Sequence, residues 1–254
     1  MHIVAVDNLG EDREGIARGL SDALGIVFYD ALVRVRVPGK GPLIVAVYAE
    51  KNFAIEKAEK LCAAGFRTLV LGHDQVETDS ARIVVRKFLL KDSEIGFEER
   101  TGSPMSIAYD LIRVIIRGIR IVRTTETETV KDRKFDAGRA ILTGGLALTK
   151  SVSLRQQSVS EIREGFIYLY SDKQRPLVFL ESALQYESLG PSLQASHAAN
   201  FTFLVAELKR RCASAVYDDR LVNKAAQTLL LGPRFDPEKH LDMAITLLSK
   251  SLRL

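Results

Sequence analysis

The chain has 254 residues, 46% of them hydrophobic and 27% charged, the balance of an ordinary globular protein with room for one large domain or two small ones. Its 36 Lys and Arg against 32 Asp and Glu leave a net charge of +4, spread along the chain. No segment carries the dense basic footprint of a dedicated nucleic-acid binder, and no apolar run approaches the ~18 residues that span a bilayer.

The opening MHIVAVDNLGEDREG has no basic n-region and does not read as a signal peptide, so a cytoplasmic protein is the expectation. Cys62 and Cys212 each follow an apolar helical pattern, in KAEKLCAAG and LVAELKRRC. Both are expected as small buried hydrophobes in a reducing compartment, and the sequence leaves a disulfide between them open.

In chain order, residues 2–6 are apolar and β-branched and end at Asp7-Asn8, which predicts a first strand with a polar exit. EDREGIARGLSDALG repeats Ile16, Leu20 and Leu24 at helical spacing and stops at Gly25. IVFYDALVRVRV is ambiguous: Phe28, Leu32 and Val35 fit a helix face, whereas VRVRV alternates like a strand. PLIVAVYA reads as a buried strand. NFAIEKAEKLCAAGF reads as a helix with Ile55, Ala58, Leu61 and Cys62 on one face, and RTLVLG as a strand.

A polar stretch, 73–81, reads as a linker. Strand-like IVVRKFLL, IGFEER and MSIAY follow, separated by Lys91-Asp92-Ser93 and Thr101-Gly102-Ser103 turns. Residues 124–164 are rich in Thr, Ser and charge and are expected as a long hairpin or loop inserted in the strand region. GFIYLYSD and PLVFLESALQY give two or three more strands, and HAANFTFLVAELKRRC a helix with a Phe201, Leu204, Val205, Leu208, Cys212 stripe. Two helices are predicted in the tail, over DDRLVNKAAQTLLLG and FDPEKHLDMAITLLSKSLRL, the second with Asp236 as N-cap and Pro237 at its first position.

The segment ALGIVFYDALVRVRVPGKGPLIVAVYAEKNFAIEKAEKLCAAGFRTLVL resembles, in element order and in its helix of type +AE+L+AAG, the C-terminal domain of the bacterial ribosomal stalk protein and the adaptor ClpS. That resemblance implies an α/β sandwich used as a docking surface. The ClpS-type site for peptide N-termini uses an Asn-Asp pair after the first strand and a His in the second helix. Here Asp7-Asn8 stands in reversed order, and Arg36 falls where the His would be, a cation that opposes an α-amino group. Residues 82–212 are similar to bacterial pleckstrin-homology (PH) domains, through SIAYDLIRVI as a turn after the third strand and NFTFLVAELKRR as a closing helix.

Among motifs with chemistry, Gly144-Gly145-Leu146-Ala147-Leu148-Thr149-Lys150-Ser151 matches a phosphate loop except that Thr149 replaces the second glycine. A β-branched residue resists the conformation that turns backbone N–H groups inward, so Gly144, Lys150 and Ser151 stand as an alternative nucleotide site only. His2, His73, His197 and His240 lie far apart without metal-ligand spacing. Arg113, Arg117, Arg120 and Arg123 form a basic series able to hold phosphates of lipid headgroups or nucleic acid. The simpler reading is a strand edge whose charges discourage edge pairing, and the acidic TETE that follows favours it.

The sequence therefore predicts an α+β chain: an α/β sandwich over 1–74, a PH-like partly closed β-barrel over 82–212 with the 124–164 insert, and a helical extension over 213–254. The expected function is non-catalytic binding of another protein, without cofactor or metal. Candidate binding residues are Asp7, Asn8, Arg36, Arg113, Arg117, Arg120 and Arg123. Nucleic acid or a membrane surface is the less favoured partner, and self-association is compatible with the same reading.

Overall fold

A computed structural model of the chain describes residues 1–36, 40–99, 102–135 and 149–253, with side chains described outside 124–135 and 149–159. It divides into two compact units, Met1–Arg120 with Glu164–Leu254, and Ile121–Arg163. The fold is α+β.

In the first unit the chain begins with β1 (His2–Asp7), α1 (Arg13–Leu24), α2 (Phe28–Arg34), β2 (Leu43–Tyr48), α3 (Lys51–Ala63) and β3 (Arg67–Gly72). The three strands form a sheet in the order β2-β1-β3, with β1 antiparallel to both neighbours. Ile3, Val4, Ala5 and Val6 are all fully buried. Successive strand side chains point to opposite faces, so both faces of this sheet are covered, which is why β1 is a continuous apolar run.

The second sheet holds β4 (Ile83–Leu90), β5 (Glu94–Glu99), β6 (Met105–Ala108), β7 (Ile112–Phe135), β8 (Thr149–Ser171), β9 (Leu177–Leu180) and β10 (Val216–Leu221). Its strand order is β10-β7-β8-β9-β4-β5-β6. The β10–β7 and β4–β9 pairs are parallel, and the β4–β5, β5–β6 and β8–β9 pairs antiparallel. Among the described residues this sheet is not closed, and a PH-like barrel over 82–212 is not shown.

Alternation along β8 shows how the sheet divides the interior. Phe166, Tyr168 and Tyr170 join the core of the N-terminal sheet. Ile167 and Leu169 join a second core with Phe201, Leu204, Val205 and Leu208 of α4 (His197–Arg211). Gly118 of β7 is where this packing is tightest: a methyl there would overlap the Phe166 ring and Leu221. The helices α5 (Lys224–Leu231) and α6 (Leu241–Leu252) complete the first core, with Leu230, Met243, Ile245 and Leu248 buried.

Three local expectations are corrected. DDRLVNKAAQTLLLG is not one helix: residues up to Leu221 belong to β10, and Asn223, whose side chain accepts from the amides of Ala225 and Ala226, starts α5. Asp236 does not cap the last helix. It accepts from the Glu238 amide in a separate turn, and α6 begins after His240. Cys62 is exposed, because the buried face of α3 is Ala54, Ala58 and Leu61, whereas Cys212 is buried and its thiol is pushed up to about 12 by desolvation; both are free.

The second unit, Ile121–Arg163, contains the outer parts of β7 and β8, with Arg123 paired to Glu161 at 2.9 Å. The segment expected as an insert is thus largely strand on either side of 136–148, which lie outside the described residues.

Candidate functional site

Of the two readings left open for IVFYDALVRVRV, the helix holds for FYDALVR, which is α2, and the described residues of VRVRV form no strand. Asp30 in its first turn and Arg34 in its last match the helix dipole. Gly25, left-handed at φ 68°, ends α1 and lets the chain reverse; the Ser21 hydroxyl donates to the Ile26 carbonyl at 2.6 Å and fixes the corner. Ala31 and Val35 face inward and are buried. Tyr29 and Val33, four residues apart and so on one face, are 68% and 42% exposed, and the preceding Val27 is 68% exposed. Phe28 is 38% exposed, with the Arg18 guanidinium 6.0 Å from its ring centre. Single exposed apolar residues are normal, but four within seven positions form a patch.

Beside α2 lies the outer edge of the N-terminal sheet. β2 is an edge strand, and its register with β1 slips between Val4 and Ala5, leaving Val45 without a partner in the ladder. Such a bulge blunts an edge. The Val45 carbonyl instead accepts from the Arg34 guanidinium. A cavity of about 180 Å³ opens here. Leu24, Ile26, Ile44, Val47, Leu231 and Phe235 supply apolar walls, and Arg34, Tyr48 and Arg234 its polar groups. Burial raises the Tyr48 phenol above its ordinary value, against the pull of the nearby Arg234 charge, so it stays a protonated donor.

The residues singled out in the sequence are placed otherwise. Asp7 is buried, accepting from the Arg67 guanidinium and from the Ser251 hydroxyl at 2.6 Å, so it is engaged within the fold. Asn8 is exposed with a positive φ of 53°, and Arg36 is exposed just beyond α2. Arg113 pairs with Asp172, the residue just past β8, at 3.0 Å, and Arg120 with Glu164 at 2.6 Å and Arg123 with Glu161, both carboxylates of β8. Arg117 is half-buried on the same strand. Gly144 lies outside the described residues, and Lys150 and Ser151 lie on β8, a strand rather than the helix start that a phosphate loop feeds.

Two buried ionic groups brace the interior. Glu164 accepts from Arg120 and from the backbone amide and hydroxyl of Ser182. Burial would raise its carboxyl, but the Ser182 and Arg120 bonds outweigh it and hold the group below the usual range. Arg82, buried, donates to Asp242 at 2.8 Å and to the Glu77 carbonyl at 2.7 Å, and sits 4.9 Å from the Tyr168 ring centre. Tyr170 donates to Glu77 at 2.8 Å, and desolvation pushes both phenols far above their ordinary values.

Among the described residues no group of three His, Cys, Asp or Glu side chains converges as a metal site would, and no helix is long and apolar enough to cross a membrane. Comparison of the chain with protein-family models, curated protein sequences and solved structures returns no match. The groups that sequence reasoning missed are Tyr29, Val33, Arg34, Tyr48 and Arg234. For the first two a signal existed: FYDALVRV holds two apolar stripes, and one short helix can bury only one.

Proposed function

We propose that this chain is a non-catalytic protein-binding module that docks a partner through the exposed face of α2. The observation that carries the reading is the exposed apolar set Val27, Phe28, Tyr29 and Val33 along α2 and at its entry. A tyrosine and aliphatic side chains flanked by Arg18 and Arg36 have the composition of an interface centre, where aromatic and arginine side chains dominate binding energy. The order β1-α1-α2-β2-α3-β3 supports the likeness to ClpS and the stalk domain, both docking folds. The reading does not include capture of peptide amines, since Asp7 is already bonded by Arg67 and Ser251. Two free cysteines suit a reducing compartment, and we take the cytoplasm as its place.

The test is co-purification at moderate salt with wild type and with Val27→Ser/Tyr29→Ser/Val33→Ser. A stoichiometric partner retained by wild type and lost by the variant, whose melting temperature stays within a few degrees, is expected. The same set of proteins with both chains contradicts the reading, as does an α2-dependent homodimer with no other protein.

A further inference from the structure

The cavity at the β2 edge holds polar groups of one kind only. Arg34, Tyr48 and Arg234 line it, and among the described residues no acidic side chain does. Glu56, close enough to act on Tyr48, is bound by Lys60 at 2.7 Å. Arg234 makes no hydrogen bond or ion pair with a described residue, in contrast to Arg113, Arg120 and Arg123 of β7. Arg34 uses one nitrogen on the Val45 carbonyl, which fixes its guanidinium at the cavity wall and leaves its other donors over. A pair of planar guanidinium groups with a phenol donor suits the fork geometry of a carboxylate. The remaining walls are aliphatic and aromatic, so the rest of the ligand is apolar. Size limits it further: an apolar cavity of about 150 Å³ accepts a benzene-sized guest, and this one is about 180 Å³.

We propose that the cavity between β2 and the loop at residues 231–235 binds a small apolar carboxylate, a branched aliphatic or phenyl group with its acid on Arg234 and Arg34. The site is separate from the α2 patch in the groups it uses and does not depend on it. Two sources share this chemistry, a free short carboxylic acid and the carboxy-terminus of a peptide ending in an aliphatic residue.

The experiment is ligand-observed NMR and calorimetry on the full chain, with millimolar 4-methylpentanoate, benzoate, the isosteric 4-methylpentanamide, and Ala-Ala-Leu as free acid and as amide. The acids are expected to bind and the amides to bind about tenfold more weakly or not at all, since hydrogen bonds to a charged partner are the strong ones. Arg234→Gln should weaken the acids about tenfold, Arg234→Lys less, and Arg113→Gln should change nothing. Because Arg234 is exposed, its replacement leaves the fold intact, checked by melting temperature. The tripeptide acid binding more tightly than 4-methylpentanoate assigns the site to chain ends, and equal binding to free acids. Acid and amide binding alike, no acid binding, or unaltered binding by Arg234→Gln overturns the proposal.

Discussion

The β7 strand and the β2 edge both carry arginines, and they use them in opposite ways. Along β7, Arg113, Arg120 and Arg123 each meet a carboxylate on β8 or, for Asp172, just past its end. At the β2 edge, Arg34 meets a backbone carbonyl and Arg234 no carboxylate among the described residues. A matched guanidinium serves the sheet, and an unmatched one at a cavity wall is available to a ligand. Charge counted along the sequence does not separate the two; pairing across strands does.

The largest effect that sharpens this comparison should come from Glu164→Ala. It removes a buried acceptor for Arg120 and Ser182, and loss of about 3 kcal/mol in urea unfolding is expected, at the lower end for a broken buried pair because the Arg120 side chain is 41% exposed. A change below about 1 kcal/mol would mean the pair does not brace the sheet. The same group sets a pH dependence. Its native carboxyl lies below the ordinary value, so its contribution is present above the unfolded-state value of about 4.3 and is lost as pH falls through the native one. The stability gap between wild type and Glu164→Gln should therefore hold at neutral pH and close on acidification; a gap that widens in acid would reverse the assignment.

Next, Arg82→Ala should cost about 2–3 kcal/mol, since it strips Asp242 and the Glu77 carbonyl of a buried donor. Smaller still is Arg113→Ala, within about 0.5 kcal/mol, because both side chains of the Arg113–Asp172 pair are more than half exposed. Arg234→Gln should be equally mild in unfolding while weakening carboxylate binding about tenfold, a split that no β7 arginine should show.

Much of the fold was legible. The runs at β1 and β2, the α1 stripe ending at Gly25 and the α4 stripe each carry a local pattern that tertiary packing reinforces. Other features depend on distant chain. VYDDRL becomes a strand only because β7 offers Val114, Ile115 and Ile116 as parallel partners, which no window around Val216 reveals. The stripe chosen for α3 ran through Cys62, but the packing uses Ala54 instead, and small residues give a weak periodic signal. The site was less legible than the fold. Tyr29 was not singled out in the sequence and stands out only because α2 buries Ala31 and Val35, and Arg234 acquired meaning only when its loop met β2 across nearly two hundred residues of sequence.

The claim that the α2 face is a docking surface is tested most directly by a photo-crosslinking residue placed at Tyr29 in the native host, with a second at the exposed Glu59 of α3 as control. The account predicts one discrete heterologous adduct from position 29, absent from position 59 and lost when Val33→Glu is added. No adduct from position 29, or the same adducts from both positions, would contradict it.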